Sequence, residues 1–129
     1  MNKSTTVAGL IGALFLMVAA CGLAADSAVR TMAEITKNLN HFPSDTDKEK
    51  LAAISRDENS SEAEKVVALA LMNLAHRVSD EDRPKLNAIA DDASAPAGLR
   101  ELADILLHVD HRPSDEDIES LAAIAATTD

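Results

Sequence analysis

Four histidines hold most of the chemistry available to this 129-residue chain: His41, His76, His108 and His111. Three of them recur at a spacing of 35 residues, from His41 to His76 to His111. Imidazole binds zinc, nickel and copper and changes charge near neutral pH, so a repeated histidine points to metal binding or proton sensing. His108 and His111 are spaced i, i+3 and would face the same side of a helix, as a weak two-ligand metal site. Carboxylates form the second group: Asp45-Thr46-Asp47, Asp80-Glu81-Asp82 and Asp115-Glu116-Asp117. A calcium loop of the EF-hand type needs a glycine at its sixth position and a glutamate at its twelfth. None of the three segments contains glycine. The chain offers no Ser–His–Asp order with supporting context, no glycine-rich phosphate loop and no pair of cysteines. The expectation is therefore a protein that is not an enzyme, with no catalytic residue and no cofactor.

The elements that must position these groups follow from a repeat. His41-Phe42-Pro43-Ser44-Asp45, His76-Arg77-Val78-Ser79-Asp80 and His111-Arg112-Pro113-Ser114-Asp115 are in register. Seven residues after each serine comes a second shared block: Leu51-Ala52-Ala53-Ile54, Leu86-Asn87-Ala88-Ile89 and Leu121-Ala122-Ala123-Ile124. Ala33, Ala68 and Ala103 also fall in register. Segments 39–73 and 74–108 match at 12 of 35 positions without a gap.

Ser44, Ser79 and Ser114 are expected helix N-caps, each with an aspartate three residues on, a capping-box spacing with Asp in place of Glu. The acids of the first turn suit the positive end of the helix dipole. From each cap a short helix of about 12 residues is expected, with Leu51 and Ile54, Leu86 and Ile89, or Leu121 and Ile124 forming its buried stripe. A longer helix follows. Ser61 with Glu64 opens one that reaches Arg77, and Ser94 with Pro96 opens another that reaches His111. An earlier helix over 27–41 completes the series.

The fold expected is all-α: six short helices as tandem 35-residue α-hairpin repeats, a small right-handed α-solenoid or a compact array. In period and architecture, over about residues 27–127, this resembles the tetratricopeptide and HEAT repeat classes. It lacks the Trp, Tyr and Phe of the tetratricopeptide pattern, so no groove residues are carried over. In stacked layers equivalent residues lie roughly 9–10 Å apart. A regular open array would thus keep His41, His76 and His111 from sharing one ion, and would leave each to close the end of its helix.

The first residues read differently. Lys3 is the only charge before Asp26, and 7–20 is wholly apolar or glycine. A basic start, an apolar core and small residues after it describe a secretory signal. The run ends Val18-Ala19-Ala20-Cys21, which resembles the bacterial lipobox. The resemblance implies cleavage after Ala20 and diacylglyceryl and acyl groups on Cys21. With Gly22 rather than Asp next, it also implies sorting to the outer membrane. An ordinary signal ending at Ala20 or Ala25, or an uncleaved membrane helix over 7–25, are the alternatives. The division expected is a signal peptide at 1–20, a lipidated cysteine and tether at 21–26, and a helical domain at 27–129.

Charge narrows the partners. The net charge is −10, and such a surface repels the phosphate backbone of nucleic acid. Phe15 and Phe42 are the only aromatics, so the core must be aliphatic. Two functions are expected. One is a non-catalytic envelope lipoprotein, held to the membrane by its lipid and facing the periplasm, that scaffolds or assembles another envelope protein. The other is a periplasmic metal or pH sensor that uses the repeated histidines.

Overall fold

The computed structural model describes residues 16–127, with side chains from 27 onward. Segment 1–15 and the side chains of 16–26, Cys21 among them, lie outside the described residues. Within them the chain is all-helical: α1 Leu16–Lys37, α2 Asp45–Arg56, α3 Glu62–Met72, α4 Arg83–Asp91, α5 Ala97–His108 and α6 Asp115–Ala126. Residues 21–26, read above as a tether, run inside α1. None of the described helices is long and apolar enough to cross a membrane.

Ser44 and Ser114 are the N-caps of α2 and α6 as expected, whereas the N-cap position of α4 falls on Asp82 and not on Ser79. The hydroxyl oxygens of Ser44, Ser79 and Ser114 each accept the backbone N–H three residues on, at 3.1 Å, from Asp47, Asp82 and Asp117. At Ser114 the backbone N–H in turn donates to the Asp117 carboxylate at 3.1 Å, which completes a capping box. At Ser79 the hydroxyl instead donates to the Asp82 carboxylate at 2.9 Å. Here regular helix begins only at Arg83. The cause is Pro84, which has no N–H to give the Asp80 carbonyl, so the first turn lacks one helical bond.

The other two starts differ from each other. Ser61 and Glu64 form the reciprocal capping box of α3. Ser94 does not cap α5; Pro96 occupies that position. The Ser94 N–H and hydroxyl both donate to the Asp92 carboxylate, at 2.9 and 2.6 Å. Those bonds, hydroxyl first, hold the Asp92 carboxyl below the usual aspartate range. Asp57 makes the matching turn with the Asn59 N–H in the loop before α3.

Helices α1, α3 and α5 all end earlier than periodicity suggests. They stop at Lys37, Met72 and His108, not at residues 41, 77 and 111. α5 ends because Val109 is already extended, with φ −59° and ψ 128°, and the backbone turns to positive φ only later, at the histidines.

The principal helix pairs are α2 with α3, α4 with α5, and α6 with α1. Each short helix thus packs on the helix that follows it, and the last returns to the first. An open solenoid would leave its terminal helices apart; here the circuit is closed. α1, α3 and α5 also contact one another. Each carries a fully buried alanine at the same register, Ala33, Ala68 and Ala103, and a methyl group permits close helix approach.

The core repeats with the sequence. Leu51, Leu86 and Leu121 are fully buried, as are Met32, Val67 and Leu102. Ile89 and Ile124 are buried and Ile54 is partly so. Two core positions break the apolar pattern. Thr36 stands where Leu71 and Leu106 stand, and its hydroxyl donates to the Met32 carbonyl at 2.8 Å. Glu64 stands in register with Val29 and Leu99 and accepts the Ser61 N–H in its capping box.

The caps give a graded expectation. Ser79→Ala should cost about 1–2 kcal/mol, because it removes a donor from Asp82, whose residue is buried. Ser44→Ala should cost only about 1 kcal/mol, since Asp47 is more exposed. Urea unfolding of the two variants checks this; equal losses would show that the Asp82 contact adds nothing.

Candidate metal centre

Each of the three repeated histidines sits at the centre of a three-residue turn. The N–H of Phe42 donates to the Asn40 carbonyl at 2.9 Å, that of Arg77 to Ala75 at 2.7 Å, and that of Arg112 to Asp110 at 2.8 Å. Between them His41, His76 and His111 have φ of 73°, 66° and 69°. A bond from residue i+2 to residue i around positive φ is the strained form of the γ-turn. No other non-glycine residue among those described has positive φ. Such backbone costs about 1–3 kcal/mol per residue unless the surroundings over-determine it.

The surroundings do so. The His41 N–H donates to the His111 carbonyl at 2.6 Å, the His76 N–H to the His41 carbonyl at 2.9 Å, and the His111 N–H to the His76 carbonyl at 2.8 Å. The three bonds form a closed cycle in which each histidine gives one and receives one. Just before each turn, Leu39, Leu74 and Val109 are buried; just after it, Pro43, Val78 and Pro113 are buried. These apolar anchors fix both ends of each turn and leave the histidine to face outward.

The side chains converge above this cycle. Ring centroids are 5.4 Å apart for His41 and His76, 5.2 Å for His41 and His111, and 4.8 Å for His76 and His111. Each ring offers one nitrogen such that all three lie within 4.8 Å of one another, and all three residues are exposed. Two rings are oriented by the preceding residue. His41 Nδ1 is 2.7 Å from Asn40 Oδ1, and His111 Nδ1 is 2.5 Å from Asp110 Oδ1. An Nδ1–H donated to either oxygen leaves Nε2 as the lone-pair nitrogen, the arrangement in which an outer oxygen orients a metal-binding histidine. Ala75 precedes His76 and supplies no such oxygen. Arg77 Nε lies 3.5 Å from Asp110 Oδ1, tying the second turn to the third.

A tetrahedral ion with Zn–N near 2.0–2.1 Å places its nitrogens about 3.3–3.4 Å apart. Moving each nitrogen inward by less than about 1 Å closes the present triangle to that size, and small side-chain rotations supply such a shift.

This overturns the separation expected from stacked layers. The last helix packs on the first, and the three histidines 35 residues apart in sequence meet. The other pair read from the sequence as a two-ligand site is His108 and His111. His108 is the last residue of α5 and its Nδ1 lies 2.8 Å from the Asp104 carbonyl. The residues gathered around His111 are His41 and His76.

The positive φ was the signal that sequence reasoning missed, because it falls on histidine where glycine usually marks such a turn. The identical residue at three register positions, flanked by Pro43 and Pro113, was the available hint. No family model, no curated protein and no solved structure matches the chain.

Glycine tolerates positive φ and alanine does not. His111→Gly should therefore be more stable than His111→Ala by about 1 kcal/mol or more. Thermal melts of the two metal-free variants decide it; a more stable alanine variant would contradict the turn geometry.

Proposed function

We propose that this chain is a metal-binding protein of the bacterial envelope, and that it holds one transition-metal ion on His41, His76 and His111. In this reading three two-helix units, α2–α3, α4–α5 and α6–α1, form a closed repeat array whose purpose is to bring three equivalent side chains to one point. The observation that carries it is the convergence of three imidazole nitrogens within 4.8 Å from turns 35 residues apart.

Two further facts support it. Strained backbone is kept at all three positions with histidine, where glycine would relieve it. Asn40 and Asp110 orient two of the rings as outer-shell oxygens orient zinc-bound histidines. Imidazole ligands suit Zn²⁺, Cu²⁺ and Ni²⁺. The site is exposed, which suits an ion that is taken up and handed on.

The export signal and the lipid-bearing Cys21 read from the sequence would place this site in the periplasm, tethered to the outer membrane. A scaffold for an envelope partner is the weaker reading. Phe42 and Leu69 are the exposed large apolar residues among those described, which leaves a partner little apolar surface to bury.

Calorimetric titration of the full chain with Zn²⁺ should give one ion per chain. His76→Gly, which keeps the turn, should lose binding, whereas His108→Ala should leave it unchanged. Asp110→Ala should weaken it about 10- to 100-fold. Protons compete for imidazole nitrogen, so affinity should fall from pH 7.5 to pH 5. Equal binding by wild type and His76→Gly would refute the site. Fractionation of cells expressing Cys21→Ala tests the anchor: release from membranes, or retention of the uncleaved precursor, is expected. A variant that stays in the membrane fraction at the mature size would remove the lipid.

A further inference from the structure

Three ligands from one face leave a metal ion with an open side. Beneath the imidazoles, the ring's backbone N–H groups are used in the cycle of hydrogen bonds. Above them the histidines are exposed, so the open coordination position faces solvent. What can enter depends on the rim.

The rim is set by the residues on either side of each histidine. Those before are Asn40, Ala75 and Asp110; those after are Phe42, Arg77 and Arg112. Arg77 reaches forward to Asp110 of the next turn. The same relation in register matches Arg112 with Asn40 and Phe42 with Ala75. Two sectors are thus polar with a guanidinium, and one is apolar.

Arg77 and Arg112 are exposed, and Arg112 makes no ion pair among the described residues. They stand out on a chain of net charge −10. Phe42 is 59% exposed, more than any other large apolar side chain described.

Resting on the three-histidine reading of the site, we propose that the bound ion takes a carboxylate carried on an apolar body as its fourth ligand. One carboxylate oxygen binds the metal, and the guanidinium of Arg112 holds the negative charge. The apolar body lies on Phe42 over the Ala75 sector. The class is an aromatic or branched monocarboxylate. Arg77 contributes less, because Asp110 already engages it.

The test uses the full chain in two steps. Zinc is titrated first; failure here removes the metal site and this proposal together. The zinc-loaded protein is then titrated with benzoate, acetate and benzylamine. Benzoate should bind about five- to tenfold more tightly than acetate, and benzylamine should not bind. Metal-free protein should bind none of them. Phe42→Ala should bring benzoate down to the level of acetate, and Arg112→Gln should weaken both acids. If zinc binds but benzoate and acetate do not differ, or benzoate binds equally without zinc, the fourth-ligand proposal fails and the metal site stands. Doubling of mass on zinc addition would show that a second copy of the chain fills the position, and would also overturn it.

Discussion

Three backbone hydrogen bonds among three exposed histidines tie three distant parts of the chain together. Each joins turns 35 residues apart, and together they form a cycle that no open array of helices could make. Positive φ at each histidine accompanies that geometry, and it falls a few residues after α1, α3 and α5 have ended. The turns are pinned from below by Leu39, Leu74, Val109 and their partners Pro43, Val78 and Pro113. Strain at the top of the fold is therefore offset by burial immediately beside it, where a fully buried aliphatic side chain contributes about 1.5–3 kcal/mol.

The three turns are not equivalent in their surroundings, and the differences are chemical. One histidine is oriented by an amide oxygen, one by a carboxylate, and His76 by neither. A similar pattern runs through the scaffold. Pro84 removes a helical bond from the start of α4 that α2 and α6 keep. Pro96 replaces the serine cap of α3 at the start of α5. Thr36 and Glu64 place polar groups at apolar positions, each tied to backbone nearby. The common frame tolerates these changes because each is satisfied locally and none touches the cycle.

Much of the frame was legible in the sequence because it rests on local rules. Ser44 and Ser114 lie at helix starts, since a cap involves only one turn of chain, while Pro84 moves the start of α4 past Ser79. The all-helical class followed from composition and periodicity. The closure did not follow. It depends on α6 packing on α1, a contact between the two ends of the helical series that leaves no local mark. One hint was present: the series begins with an unpaired long helix and ends with an unpaired short one, and α6 packs on α1. The histidine turns were hidden because a residue that usually sits in ordinary backbone occupies left-handed space. His108 drew attention away, since a helix continued to residue 111 would have set it beside His111, whereas α5 ends at His108 itself.

The three imidazoles meet at the cycle of histidine hydrogen bonds, in a fold whose last helix packs on its first. The most direct measurement is a long-range nitrogen–proton NMR spectrum of the imidazoles, recorded as Zn²⁺ is added to one equivalent. Coordinated nitrogens of His41, His76 and His111 should shift together and saturate at one ion, with His108 unmoved. Shifts confined to a single histidine, or shared between His108 and His111 alone, would contradict the account.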